Sequence, residues 1–184
     1  MAKWTFEPGH TAAEFKVKHM MVTWVRGSFK NVEGNMEFDP ENIEKASVNI
    51  VINAKELWSG DKARDDHLKS KDFFDVENHP KITFKSTKVE PEDNNKAKVT
   101  GDLTMRGVTK EVTLDVEIVG QWNTPFWQDG VDKGPIPRIG FVGTTKINRQ
   151  DFGISWQGEM EKGGVVVGND VYITIDVEAL PKKE

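Results

Sequence analysis

Cysteine is absent from all 184 residues. That removes disulfides, thiolate nucleophiles and Cys-ligated metals together, and it leaves the compartment open. Long apolar runs are missing too: nothing approaches the ~20 residues a membrane-crossing helix requires. There is no excess of positive charge. Lys and Arg number 25 against 30 Asp and Glu, a net charge of −5, whereas a nucleic-acid surface needs a basic stripe. The opening MAKWTFEPGH lacks the apolar core of a secretory leader. As written the chain is expected to be cytoplasmic, or periplasmic or secreted if a leader has been removed.

Catalytic signatures are equally scarce. The four histidines, His10, His19, His67 and His79, show no metal-binding spacing. No G-x-S-x-G elbow or phosphate-binding loop occurs, and GGVVVG at 163–168 reads as a turn entering a strand. Asp65, Asp66 and His67 could gather around a metal. A solvated helical turn capped by Asp61 or Ser59 explains them more simply, so no metal and no cofactor is expected.

What the chain has in abundance is period-2 alternation, the mark of half-buried strands. Ala13, Phe15 and Val17 alternate with Glu14, Lys16 and Lys18. Gly34, Met36 and Phe38 do the same, as do Val48, Ile50, Ile52 and Ala54. Further strands are expected at about 81–89, 95–105, 110–120, 137–147 and 169–179, roughly eight in all. One hairpin can be registered by side-chain chemistry: Leu103 opposite Val112, Gly101 opposite Leu114 and Val99 opposite Val116. The loop is then Arg106-Gly107-Val108-Thr109. Residues 121–136, rich in Pro, Gly and aromatics, read as a long connection. Such strands close as a sandwich or as a barrel, and small inward residues (Gly34, Ala54, Gly101, Gly143) tilt the reading towards a barrel with interior space.

The densest segment is 64–84, RDDHLKSKDFFDVENHPKITF. Ala63 to Lys69 suit one or two helical turns. The adjacent Phe73 and Phe74 are too apolar for a bare surface connection, so at least one covers apolar space. Strand aromatics Phe15, Phe38, Phe84 and Phe141 fall on positions consistent with an inward face, and Phe29 is a further strand ring. Arg64, Arg138 and Arg149 could each grip an anionic group bidentately, or pair locally, as Arg149 could with Asp151.

Ordered motifs spanning nearly the whole chain resemble one family. They are WTFEPGHTAAEFKVKH (4–19), VRGSF (25–29), RDDHL, DFFD, HPKITFKST (79–87), GDLTMRGVTK (101–110), INRQDFGI (147–154) and VGNDV (167–171). Together they are similar to the YceI-like, polyisoprenoid-binding proteins. The resemblance implies an all-β, eight-stranded antiparallel lipocalin-like barrel over residues 1–184, with one short helix in a connecting segment and an elongated apolar pocket. It implies no catalytic residues.

The expected role is binding, transport or storage of a long-chain isoprenoid, of the isoprenoid quinone or prenyl pyrophosphate class, or of a similar amphiphilic lipid. No nucleic acid and no stable membrane insertion are expected, and a homodimer is allowed for. The expected lining is Phe15, Val17, His19, Phe29, Met36, Phe38, Ile50, Ile52, Phe73, Phe74, Phe84, Leu103, Phe141 and Ile173. Arg64, Asp65, His67 and Arg149 are the head-group candidates, although a structural role is the favoured reading for each Arg and a frame that holds the cover is the favoured reading for the polar half of the 64–84 segment. Two alternatives stand beside this: an enzyme using Asp65 and His67 on a bound amphiphile, and a stress-related interaction protein whose barrel is filled by its own side chains.

Overall fold

The computed structural model describes residues 1–182. Strands β1 (Ala2–Phe6), β2 (Ala12–His19), β3 (Thr23–Phe29), β4 (Glu33–Phe38), β5 (Ser47–Asn53) and β6 (Leu57–Trp58) precede one helix, α1 (Lys62–Lys69). Then come β7 (Lys81–Pro91), β8 (Lys96–Met105), β9 (Val108–Thr124), β10 (Trp127–Gln128), β11 (Val131–Asp132), β12 (Ile136–Asn148) and β13 (Val167–Pro181). Eight strands form a ring in the order β1-β4-β5-β7-β8-β9-β12-β13, and β1 closes it by pairing with β13. Closure leaves this ring without an exposed edge.

β13 is long enough to serve two partners. Its last residues pair with β1, while residues 167–176 pair with β2. β2 carries β3, and β6 caps only the Ser28–Phe29 end of β3. One end of the barrel is therefore extended by β2 and β3 and covered by α1; we call it the helix end. The opposite, far end is crossed by residues 39–46 between β4 and β5.

The inward face is the alternation expected. Phe6, Met36, Phe38, Ile50, Ile52, Phe84, Val99 and Leu114 are all buried. Bulges shift that alternation in two strands, between Ser86 and Lys88 in β7 and opposite Gly140–Phe141 in β9. This lets Val89 point inward and turns Val119 out to solvent.

Four expectations need correction. The β8–β9 hairpin pairs Leu103 with Lys110, Gly101 with Val112 and Val99 with Leu114, two residues away from the side-chain register. Turn geometry decides it: Arg106 and Gly107 both take positive φ, 51° and 73°, making a two-residue turn whose twist matches the strands. A two-residue shift keeps every side chain on its own face, so facial chemistry could not detect it. Residues 121–136 are no loose connection either, because β9 and β12 run on to Thr124 and Ile136 and enclose the small β10–β11 hairpin. Ala54 lies in a 3-10 turn, not in β5. Gly34 and Gly101 make close packing, not space: an added Cβ would stand 2.4 Å from the Phe6 ring or from the Lys85 carbonyl oxygen.

Candidate functional site

The barrel interior holds two adjoining apolar chambers. The far-end chamber spans about 830 Å³ of free space, open solvent at its mouth included, and is walled by Phe6, Met36, Phe38, Val99, Phe141 and Val177 among others. The helix-end chamber encloses about 1070 Å³ on the same count, between Phe15, Val17, Phe29, Leu103, Ile173 and the α1 segment. Ile50, Phe84, Leu114 and Ile175 belong to both walls and form the waist between them. Ser47, Glu37, Asn95 and Lys96 bring polar groups to the far-end mouth. The barrel's own side chains thus leave apolar space inside it.

The cover at the helix end follows from its sequence. Asp61 caps α1 by accepting the Arg64 N–H at 2.8 Å. The chain then folds back through turns: the Phe74 N–H donates to Leu68 O, and the Val76 N–H to Lys69 O. Phe73 and Phe74 are therefore not strand neighbours on opposite faces, and both line the chamber with Leu68. Phe74 meets Phe29 edge-on at 5.6 Å and Phe15 at 6.4 Å. Phe73 packs on Trp156 at 5.4 Å.

The polar half of the segment holds this cover in place. Asp65, buried, accepts both the N–H and the Oγ–H of Ser59. Arg64 donates from Nε to Ser59 Oγ at 2.8 Å and from Nη2 to Ser59 O at 2.7 Å. His67 Nε2 lies 2.8 Å from Asp72 Oδ2, and its ring stands edge-on to Trp156 and Phe73. None of the three lines either chamber. Asp65, Asp66 and His67 turn to different partners, with Lys62 taking Asp66, so they form neither an acid–base pair nor a ligand cluster.

Arg149 does border the helix-end chamber, but its donors are spent on the chain itself. Nε donates to Gly168 O at 2.9 Å, Nη1 to Ile154 O and Trp156 O, and Nη2 to Val167 O. Burial lowers its pKa from the ordinary guanidinium value. It makes no pair with Asp151. Of the head-group candidates Arg64, Asp65, His67 and Arg149, all four bond within the chain, as a frame behind the cover would.

Thirteen of the fourteen expected lining residues reach a chamber wall. Met36, Phe38 and Phe141 face the far-end chamber, Ile50 and Phe84 the waist, and the rest the helix end. His19 does not: it ends β2 beside Thr23 and Val167. Sequence reasoning missed Leu68, Trp156 and Arg106. Arg106 donates to Gly153 O at 2.8 Å and Lys71 O at 2.7 Å, tying the β8–β9 turn to the cover. Its Arg-Gly turn was the available signal; Trp156, isolated in a connection, gave none.

Known proteins share this arrangement. The YceI-like domain matches residues 4–179. A UPF0312 protein of Staphylococcus aureus is 35% identical over 181 residues, covering 97% of each chain. The crystal structure of a Campylobacter jejuni YceI protein superposes with a TM-score of 0.73 at 33% identity, covering 91% of each chain. A polyisoprenoid binding domain from Saccharophagus degradans, implicated in plant cell wall breakdown, shares the fold at a TM-score of 0.66 and 12% identity, over 99% of this chain and 100% of that one. With the closed barrel, the apolar interior and a family match over nearly its full length, the chain belongs to the YceI-like domain family.

Proposed function

We propose that this protein binds and carries, or stores, a long-chain isoprenoid or similar amphiphilic lipid, with the apolar chain laid through the waist across both chambers. The carrying observation is that Ile50, Phe84, Leu114 and Ile175 line both apolar chambers, which places the two side by side along the barrel. Four side chains are shared by the two walls, so a compact ligand would occupy one chamber and leave the other without contacts. An extended chain fills both. Isoprenoid quinones and prenyl pyrophosphates are the ligand class this suits, and the Saccharophagus domain's polyisoprenoid binding supports it.

Burial supplies the affinity, at ~0.8 kcal/mol per methylene removed from water. Ordering of the chain offsets much of that sum, so length matters more than chemical detail. Binding is favoured over catalysis because Asp65 and His67 bond to Ser59 and Asp72 and stand apart from the cavity wall.

Native mass spectrometry of protein purified from its own host tests the reading. It should show a bound amphiphile, and repeated absence of one would sink it. Leu114→Trp, which plugs the waist, should weaken retention of a long prenyl chain by at least about tenfold, the scale of ~1.4 kcal/mol. A chain short enough for one chamber should be retained almost as before. Equal retention of both by the variant would refute the shared path.

A further inference from the structure

We propose that the β2–β3 end of the barrel docks on an anionic lipid bilayer surface. The connection between these strands is Met20-Met21-Val22, with Val22 81% exposed and both methionines exposed. Met20 and Met21 both hold positive φ, 49° and 59°, a conformation usually given to Gly, Asn or Asp. A water-facing turn would use those polar residues. Here the strained positions carry flexible apolar side chains, which suit loosely structured apolar surroundings. The Met20 N–H donates to Val166 O at 2.7 Å, which brings the neighbouring exposed Val165 beside the tip.

Behind the tip, the outward face of β2 and β3 is basic and aromatic. Lys16 pairs across with Arg26 and Lys18 with Trp24. Lys16 and Lys18 lie over the Trp24 ring at 5.1 and 4.4 Å, and Trp24 meets Tyr172 edge-on at 5.5 Å. Among the described residues none of Lys16, Lys18 and Arg26 forms an ion pair, although carboxylates outnumber cations in the chain. Exposed Glu14 shares this face one step further from the tip, opposite Ser28, and Glu159 and Glu161 lie on the neighbouring loop, so the basic character is confined to Lys16, Lys18 and Arg26. An apolar tip, amphipathic rings at its base and unpaired cations above them form the layered pattern that a bilayer interface selects.

The same strand leads inward. Val17, between the two lysines, lines the helix-end chamber, as does Val167 opposite His19. Among the described residues the outer edge of β3 has no strand partner from Thr23 to Gly27, since β6 reaches only Ser28 and Phe29. A chain drawn from the bilayer at the tip has this edge as its nearest route to the chamber; that further step rests on the ligand reading above, whereas docking does not.

Co-sedimentation with vesicles tests the docking, using phosphatidylcholine alone and phosphatidylcholine mixed with phosphatidylglycerol. The wild-type protein should bind the anionic vesicles and release at high salt. Met21→Ser/Val22→Ser and Lys16→Glu/Lys18→Glu should each weaken binding by about tenfold or more, since each basic residue near such a surface contributes roughly fivefold. Trp127→Ser, on the exposed hairpin at the opposite end, should bind as wild type. No binding to anionic vesicles, or loss in Trp127→Ser with none in the tip variants, overturns the proposal. Uptake of a dansylated prenyl alcohol from detergent micelles, measured on the same proteins, also reports folding. Uptake without vesicle binding removes the docking and leaves the chamber reading; vesicle binding at the tip without uptake supports docking and removes the chamber reading.

Discussion

The two ends of the barrel are closed by different physics. At the far end, residues 39–46 cross the mouth with Ile43 and Ala46 against the chamber, and their turn is held by the Glu41 N–H and the Asn42 side-chain amide, which donate to the Asp39 carboxylate at exposed and half-buried positions respectively. At the helix end the apolar cover is tied by polar groups that are themselves buried: Asp65 to Ser59, and Arg149 to four backbone carbonyls. Hydrophobic contact is non-directional, so rings alone would not fix where Phe73 and Phe74 sit. Buried hydrogen bonds supply that direction, because leaving any one of them unmade is costly. Of the two covers, the Phe73-Phe74 segment should therefore be the fixed one, and the 39–46 crossing the first to open.

The sharpest way to break this contrast is Arg149→Met, which keeps most of the apolar stem and removes every donor. Carbonyls of Ile154, Trp156, Val167 and Gly168 lose their partner at once, which should cost on the order of 3–5 kcal/mol in denaturant unfolding. A loss under about 1 kcal/mol would mean that water replaces the guanidinium, and the ends would not differ as argued. Asp65→Ala comes next. It strands the buried Ser59 N–H and frees Arg64 from a preformed frame, for about 2 kcal/mol. Amide exchange from Leu68 to Phe74 should accelerate, while the 39–46 turn is unaffected; uniform acceleration would show that the frame is not local.

These two residues also mark how far the sequence could be read. Alternation exposed the strands and most of the wall, because an inward position must be apolar and its neighbours need not be. The Phe73-Phe74 pair announced a cover because two such rings are rarely left in water. The polar half of the 64–84 segment was legible as a frame behind the cover, but the partners of Asp65 and Arg149 were not. Their partners are backbone groups and one serine, and a carbonyl oxygen has no residue type for a pattern to detect. The β8–β9 register failed for a related reason, since two registers shared the same facial chemistry and only the backbone of Arg106-Gly107 chose between them. Residues 121–136 looked like a loop because Pro and Gly are read locally, whereas their pairing is set by β9 and β12 running on together.

The smallest effect is expected at the far end, from Asp39. The Glu41 N–H, and after it the Asn42 amide, stabilise its carboxylate and hold its pKa below the ordinary 3.8. For a carboxyl lowered on folding, the extra stability is present above the unfolded-state pKa and disappears as pH falls through the folded one. The affected window therefore opens near pH 3.8 and extends to more acid values. Because Asp39 is only half-buried and its carboxylate bonds stay within its own turn, the consequence is local. Exchange at the Glu41 and Asn42 amides should quicken through that window relative to intrinsic rates, with no matching change at Ser59. Asp39→Ala should show fast exchange at both amides at every pH and should leave global unfolding almost unchanged. If instead the helix-end cover loosened in step with the 39–46 turn, the barrel would be opening as one unit, and the two closures would not be independent.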